Sequence, residues 1–222
     1  EHGIHTTAAI DCTGDMPSCL SNIRAACTPV YQADRIPVLL GGEHSLSLAP
    51  VQALLDLRQD FGVVQLDAHA DLRDTYEQSP DSHACVMRRI HELGVPIFQI
   101  GVRNLCLEEV DYRATHKVPY LDAREIYQQG IPDTILPENF PKNIYLTFDI
   151  DGFDSSLMPA TGTPEPGGLD WWQALALCEN VAKNRRILGL DVVELAPRDE
   201  LHACSYTAAK LAYALMGIAT RH

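Results

Sequence analysis

Residues 61–71 read FGVVQLDAHAD. Phe61 to Leu66 make a short apolar run of the kind buried on both faces of a sheet. It stops at Asp67-Ala68-His69-Ala70-Asp71, where three metal-capable side chains stand at alternate positions. Four more runs share the strand character: 36–41 (IPVLLG), 95–101 (VPIFQIG), 143–149 (NIYLTFD) and 187–193 (ILGLDVV). Between them lie helical patterns. Residues 17–33 place Leu20, Ile23, Cys27, Val30 and Tyr31 at helical spacing; 82–93 runs from a Ser82 cap to Gly94; 170–184 starts at Asp170 and 205–220 at Ser205. Strands alternating with helices predict an α/β domain with a mainly parallel sheet. No repeat, low-complexity tract or linker divides the chain. Pro and Gly are densest at 159–168 (PATGTPEPGG), which reads as a structured loop over a site.

In open parallel sheets the ligand crevice lies outside the carboxyl ends of the strands. Three such ends carry unusual residues. Asp67, His69 and Asp71 follow the strand at 61–66 and share one face if the chain stays extended. Asp149 and Asp151 form a second alternate pair after 143–149, and Gly41-Gly42-Glu43-His44-Ser45 turns His44 over the same edge. Four carboxylates packed together repel and raise one another's pKa, whereas two divalent cations cancel the charge. Oxygen ligands with imidazole and no sulfur favour manganese, with nickel, cobalt or iron as alternatives, and disfavour structural zinc. Any one of these residues could simply cap or pair at a strand end; the convergence of all six is what points to a binuclear site.

The chain has 222 residues, with 17 Lys+Arg against 30 Asp+Glu, a formal charge of −13. This acidic balance argues against nucleic acid and anionic membranes as partners and favours a small cationic substrate. Hydrophobic content of 46% at this length allows a single buried core. The seven cysteines are an odd count with no C-x-x-C pair, which disfavours a disulfide framework or a thiolate zinc site. With no membrane-length apolar run and no signal pattern, the expected location is cytoplasmic.

These segments resemble the ureohydrolase family of arginases and agmatinases, whose signatures are G-G-[DE]-H-S, D-A-H-x-D and D-x-D-x-x-D leading into G-T-G-T-P. Here they stand at 41–45, 67–71 and 149–154, and the match continues through Ala160 to Gly168 and through Asp191-Val192-Val193-Glu194-Leu195-Ala196-Pro197. The resemblance implies a three-layer α/β/α sandwich and two manganese ions. His44, Asp67, Asp71 and Asp149 would surround one ion, and Asp67, His69, Asp149 and Asp151 the other. It further implies hydrolysis of a guanidino compound to urea and an amine, with Glu194 holding the guanidinium NH groups, Asp71 passing a proton to the leaving nitrogen, and His83 shuttling protons to solvent. Family resemblance also implies homotrimers or homohexamers.

The wording SHACVMRR and MPATGTPEPGG is most similar to bacterial agmatinases, so agmatine going to putrescine is the expected reaction. Arginine is disfavoured: the loop after Asp71 reads Leu72 to Glu77 without the arginase Asp-Ile-Asn pattern, and Cys106 stands where arginases carry an acidic residue. Glu77 and Glu165 are candidate contributors to an acidic rim. Guanidinobutyrate and free guanidine are alternative substrates, metal-dependent amide hydrolysis is a weaker reading, and a catalytically silent metal-binding subunit is the alternative from another class. His2, His5, His91, His116, His202 and His222 match no motif and read as surface or packing residues; Trp171 and Trp172 read as core. Family members usually begin with a further strand and an arginine-glycine-proline loop. The expectation is therefore one ureohydrolase domain over 1–222, N-terminally truncated and lacking that strand.

Overall fold

A computed structural model describes residues 3–221; His2 and His222 lie outside the described residues. The five expected strands form, as β1 (Val38–Leu40), β2 (Gly62–Leu66), β3 (Ile97–Ile100), β5 (Asn143–Asp149) and β6 (Arg186–Val193). The two-residue β4 (Tyr120–Leu121) is too short for periodicity to reveal. Together they make a six-stranded sheet in the order β1-β6-β5-β2-β3-β4, every neighbouring pair parallel.

The expected helices appear as α1 (Met16–Gln32), α3 (Val86–Glu92), α6 (Trp171–Ala182) and α7 (His202–Ala219), joined by α2 (Leu48–Asp56), α4 (Leu107–His116) and α5 (Ala123–Gln129). Capping explains several starts. Asp15 accepts from Ser18 N at 2.9 Å, and Asp170 and Gln173 exchange bonds at the head of α6. The pattern at 82–93 is split: a 3-10 turn over His83–Cys85 precedes α3, which sets His83 ahead of the regular helix.

Side chains alternate across the sheet and feed two cores. Val64, Leu66, Leu146 and Phe148 pack with α6 and α7 on one face, while Val63, Ile97 and Tyr145 pack with α1, α2 and α3 on the other. The result is the three-layer sandwich, held together by burial on both faces of the sheet.

Two expectations are corrected. The run at 36–41 is not buried on both faces: β1 is an edge strand paired only with β6, and Leu40 is 69% exposed. Trp172 is not core but 75% exposed, whereas Trp171 stacks on Phe153 with ring centroids 6.1 Å apart. Consecutive helical residues point about 100° apart, so only one of the two can face the sheet.

Candidate metal centre

Four adjacent strands deliver the site. His44 follows β1, Asp67 follows β2, Asp149 ends β5, and Glu194 follows β6, all at the carboxyl edge of the sheet. The extended reading of 67–71 holds only in part. Ala68 and Ala70 are fully buried between the ligands, but Asp71 has φ 53° and turns out of the extended path. Glu194 likewise has φ 65°. Two non-glycine residues in the left-handed region at one site are strained positions that the surrounding packing must hold.

The structure brings the six expected ligands together. His44 Nδ1 lies 3.1 Å from Asp67 Oδ2, 3.0 Å from Asp71 Oδ2 and 3.3 Å from Asp149 Oδ2. His69 Nδ1 lies 3.0 Å from Asp151 Oδ2 and 3.6 Å from Asp67 Oδ1. Asp67 therefore belongs to both groups through different oxygens. In each of the sets His44-Asp67-Asp71 and Asp67-His69-Asp151, the donor atoms lie within 4.8 Å of one another.

The electrostatics of these sets calls for cations. Burial lifts Asp71, Asp149 and Asp151 above the usual carboxylate range, and the charge of Asp67 adds to the lift. Against the penalty of its own burial, His44 and His69 hold Asp67 below that range. Burial also disfavours charge on the two imidazoles, yet the carboxylates raise His44 well above its ordinary value and His69 to about 11. Positive charge is thus favoured at two points, one beside each histidine.

His44 adds a sharper test. Its Nε2 lies 2.8 Å from Thr147 Oγ1, and that hydroxyl donates to Asp191 Oδ1 at 2.7 Å, so Oγ1 receives the Nε2 proton. Nδ1, a buried nitrogen with no hydrogen-bond partner, is then the atom that faces three carboxylates, and it offers them a lone pair only where a cation takes the place of a proton. A divalent cation satisfies both sides of this contact. The residues present fit two such ions, with an all-oxygen and imidazole donor set.

A second cluster stands beside the first. Glu43, His83 and Glu194 also place donor atoms within 4.8 Å of one another. Glu194 Oε1 accepts from His44 N at 2.7 Å, and burial raises the carboxyl's pKa. His83 is 43% exposed in its side chain, lies 3.5 Å from Glu43 Oε2 and meets the Tyr76 ring edge-on. The contact of its ring N–H with the Glu43 carboxylate raises the His83 pKa above its ordinary value. The two rim candidates sit differently: Glu77 is exposed in the turn at 76–79, while the Glu165 carboxylate is bonded to Asn104. Cys106 caps the start of α4.

Several residues that shape the site carry no expected role in the sequence. Arg103 donates to the backbone carbonyls of Asp151 (2.8 Å), Phe153 (3.0 Å) and Glu165 (2.9 Å), clamping the Asp149 segment to the loop at 159–168. Asp191, fully buried, accepts from Ser47, Tyr145 and Thr147. Gln65 donates to Asp67 Oδ2 at 2.7 Å. A signal for these existed: Gln65, Gln99, Thr147 and Asp191 are hydrophilic residues inside otherwise apolar strands.

Known proteins resemble this chain in sequence and fold. The family model described as the arginase family matches residues 1–217. The N(1)-aminopropylagmatine ureohydrolase of Synechocystis sp. is 37% identical over 97% of this chain and 72% of its own length. The agmatinase of Pyrococcus horikoshii is 38% identical over 84% of this chain and 64% of its own. The agmatine ureohydrolase of Thermoplasma volcanium superposes with a TM-score of 0.80 at 29% identity, covering 92% of this chain and 69% of that one. The chain thus spans about two thirds of the length of these relatives. With the six-ligand edge, the sandwich that carries it and a family match along nearly its whole length, the chain belongs to the arginase family.

Proposed function

We propose that the protein is a metal-dependent amidinohydrolase that converts a guanidino compound to urea and an amine, with agmatine or N1-aminopropylagmatine as substrate and two manganese ions as cofactor. The observation that carries this reading is Asp67, which stands in both donor sets through opposite oxygens and so can bridge two ions. The two relatives are named for these substrates. Both substrates are polycations, in keeping with a chain of formal charge −13.

Guanidinium is resonance-stabilised and a poor electrophile, so its hydrolysis needs a strong nucleophile and a fixed carbon. When bound, the metal pair lowers the pKa of water and so supplies nucleophile at neutral pH. The chain's own residues do the rest. Glu194 keeps one oxygen on His44 N–H, which aims the other at the guanidinium in a charge-assisted pair. Asp71, buried beside the same donor set, takes a proton and passes it to the departing nitrogen. His83, part-exposed and with its pKa raised by Glu43, relays further protons between the site and solvent, so that the site is reset after the amine has left with the proton from Asp71.

The test is urea release from agmatine, N1-aminopropylagmatine, arginine, 4-guanidinobutyrate and guanidine after loading with manganese, with metal analysis on the same sample. Agmatine and its aminopropyl derivative are expected to exceed arginine. Urea from none of them overturns the reading, and retained metal without turnover would instead favour a silent metal-binding subunit.

A further inference from the structure

One row of the sheet is polar where its surroundings are apolar. Gln99 of β3, Gln65 of β2, Thr147 of β5 and Asp191 of β6 are direct register partners in turn, and all four are fully buried. Parallel partners point to the same face, so the row lies beneath the ligands, two positions before Asp67 and Asp149. Thr147 and Asp191 serve His44 as described above. The other half of the row runs toward the opposite edge of the sheet.

There the hydrogen bonds form a chain. Arg113 Nε on α4 donates to Gln99 Oε1 at 2.8 Å, Gln99 Nε2 donates to Gln65 Oε1 at 2.5 Å, and Gln65 Nε2 donates to Asp67 Oδ2 at 2.7 Å. Its far end is anchored by two bonds from Arg113 Nη1 to Asp122, at 3.0 and 3.2 Å. The direction of the chain is dictated by its ends, because guanidinium can only donate and a carboxylate can only accept. Two side contacts enforce the same amide orientations: Gln99 Nε2 also reaches Ala70 O at 2.6 Å, and Gln65 Nε2 reaches His69 O at 3.3 Å. A flipped amide would set oxygen against oxygen at each point.

At Asp67 the result is one donor per oxygen. Gln65 holds Oδ2, and His69 N–H holds Oδ1 at 2.6 Å. We propose that Gln65, Gln99 and Arg113 are positioning residues for the metal centre, a one-way hydrogen-bonded chain that keeps Asp67 in the rotamer serving both donor sets. The inference rests on the metal reading given above and adds to it the residues that preorganise the shared ligand. Ligand-orienting partners of this kind are worth 10–100-fold in metal affinity.

The decisive variant is Gln99→Glu, remote from the ions and nearly isosteric. A glutamate there keeps its contact with Arg113 but cannot donate to Gln65, whose amide must turn and present oxygen to Asp67. Manganese affinity, measured by calorimetry, is expected to fall about 10–100-fold, while the chelated protein still folds, with a melting temperature lowered by the lost bond to Ala70 O. Gln65→Met, which deletes the donor and keeps the volume, is expected to weaken affinity as well.

Unchanged affinity in either variant overturns the inference. Failure of both chelated variants to fold overturns it too, because the row would then carry the fold rather than the centre. No manganese binding by the unaltered chain sinks the proposed function and this inference together, which separates the two kinds of failure.

Discussion

Thr147 shows how much one hydroxyl can decide. By donating to Asp191 it becomes an acceptor for His44 Nε2, and this leaves Nδ1 as the nitrogen that faces the carboxylates. Thr147→Val keeps the shape but strands a buried Nε2–H and removes one of three donors to Asp191. An unsatisfied buried donor costs about 1–3 kcal/mol, and loss of a ligand-orienting partner costs about 10–100-fold in metal affinity. Urea denaturation and a manganese titration should show both losses. If neither moves, His44 is oriented by other groups.

At the scale of an element, the loop at 159–168 is held by Asp154. Its carboxylate bonds the Ser156 hydroxyl and accepts from Ser156 N (3.0 Å), Gly167 N (2.7 Å) and Gly168 N (3.2 Å). Gly168 has no room for a side chain, since a Cβ would lie 2.6 Å from Asp154 N. The bonds, from Ser156 foremost, hold the Asp154 carboxyl down at about 2. A lowered folded-state pKa means stabilisation that is complete above the unfolded value near 3.8 and lost as pH falls toward 2. The full shift corresponds to roughly 2 kcal/mol, and solvent screening of this partly exposed group reduces it to about 1 kcal/mol. Asp154→Asn should therefore cost about 1 kcal/mol at pH 7, with the difference from the unaltered protein shrinking below pH 4. Denaturation of the metal-free protein across that range measures it, and a pH-independent difference would contradict the assignment.

For the whole molecule, the candidate metal sites join strands that are distant in sequence. The bond from His44 N to Glu194 spans 150 positions, and that between Ser47 and Asp191 spans 144. An ion held by residues from β1, β2 and β5 binds only the folded chain and must stabilise it by mass action. At a hundredfold excess over Kd the gain is about 2.7 kcal/mol, or about 5–10 °C in Tm for a chain of this size. Calorimetric melting with manganese and with chelator should show this rise. Asp149→Asn should reduce it, and acid should abolish it as the carboxylates protonate. Identical melting with and without manganese would count against the metal centre.

The local pattern of residues determined the alternation of strand and helix, the parallel sheet and the six candidate ligands at strand ends, because apolar runs, caps and ligand chemistry are properties of neighbouring residues. His83 and Glu194 were singled out through the family resemblance, and the structure places their donor atoms together with those of Glu43. Tertiary structure alone decided that Leu40 lies on an exposed edge, that Trp172 faces solvent, and that Asp67 serves the two donor sets through different oxygens while Asp149 stands with the His44 group. It also decided that Gln65, Gln99, Thr147 and Asp191 form one row. Each of these depends on which strands become neighbours and in what register, and those pairings join residues tens to more than a hundred positions apart that no local pattern relates.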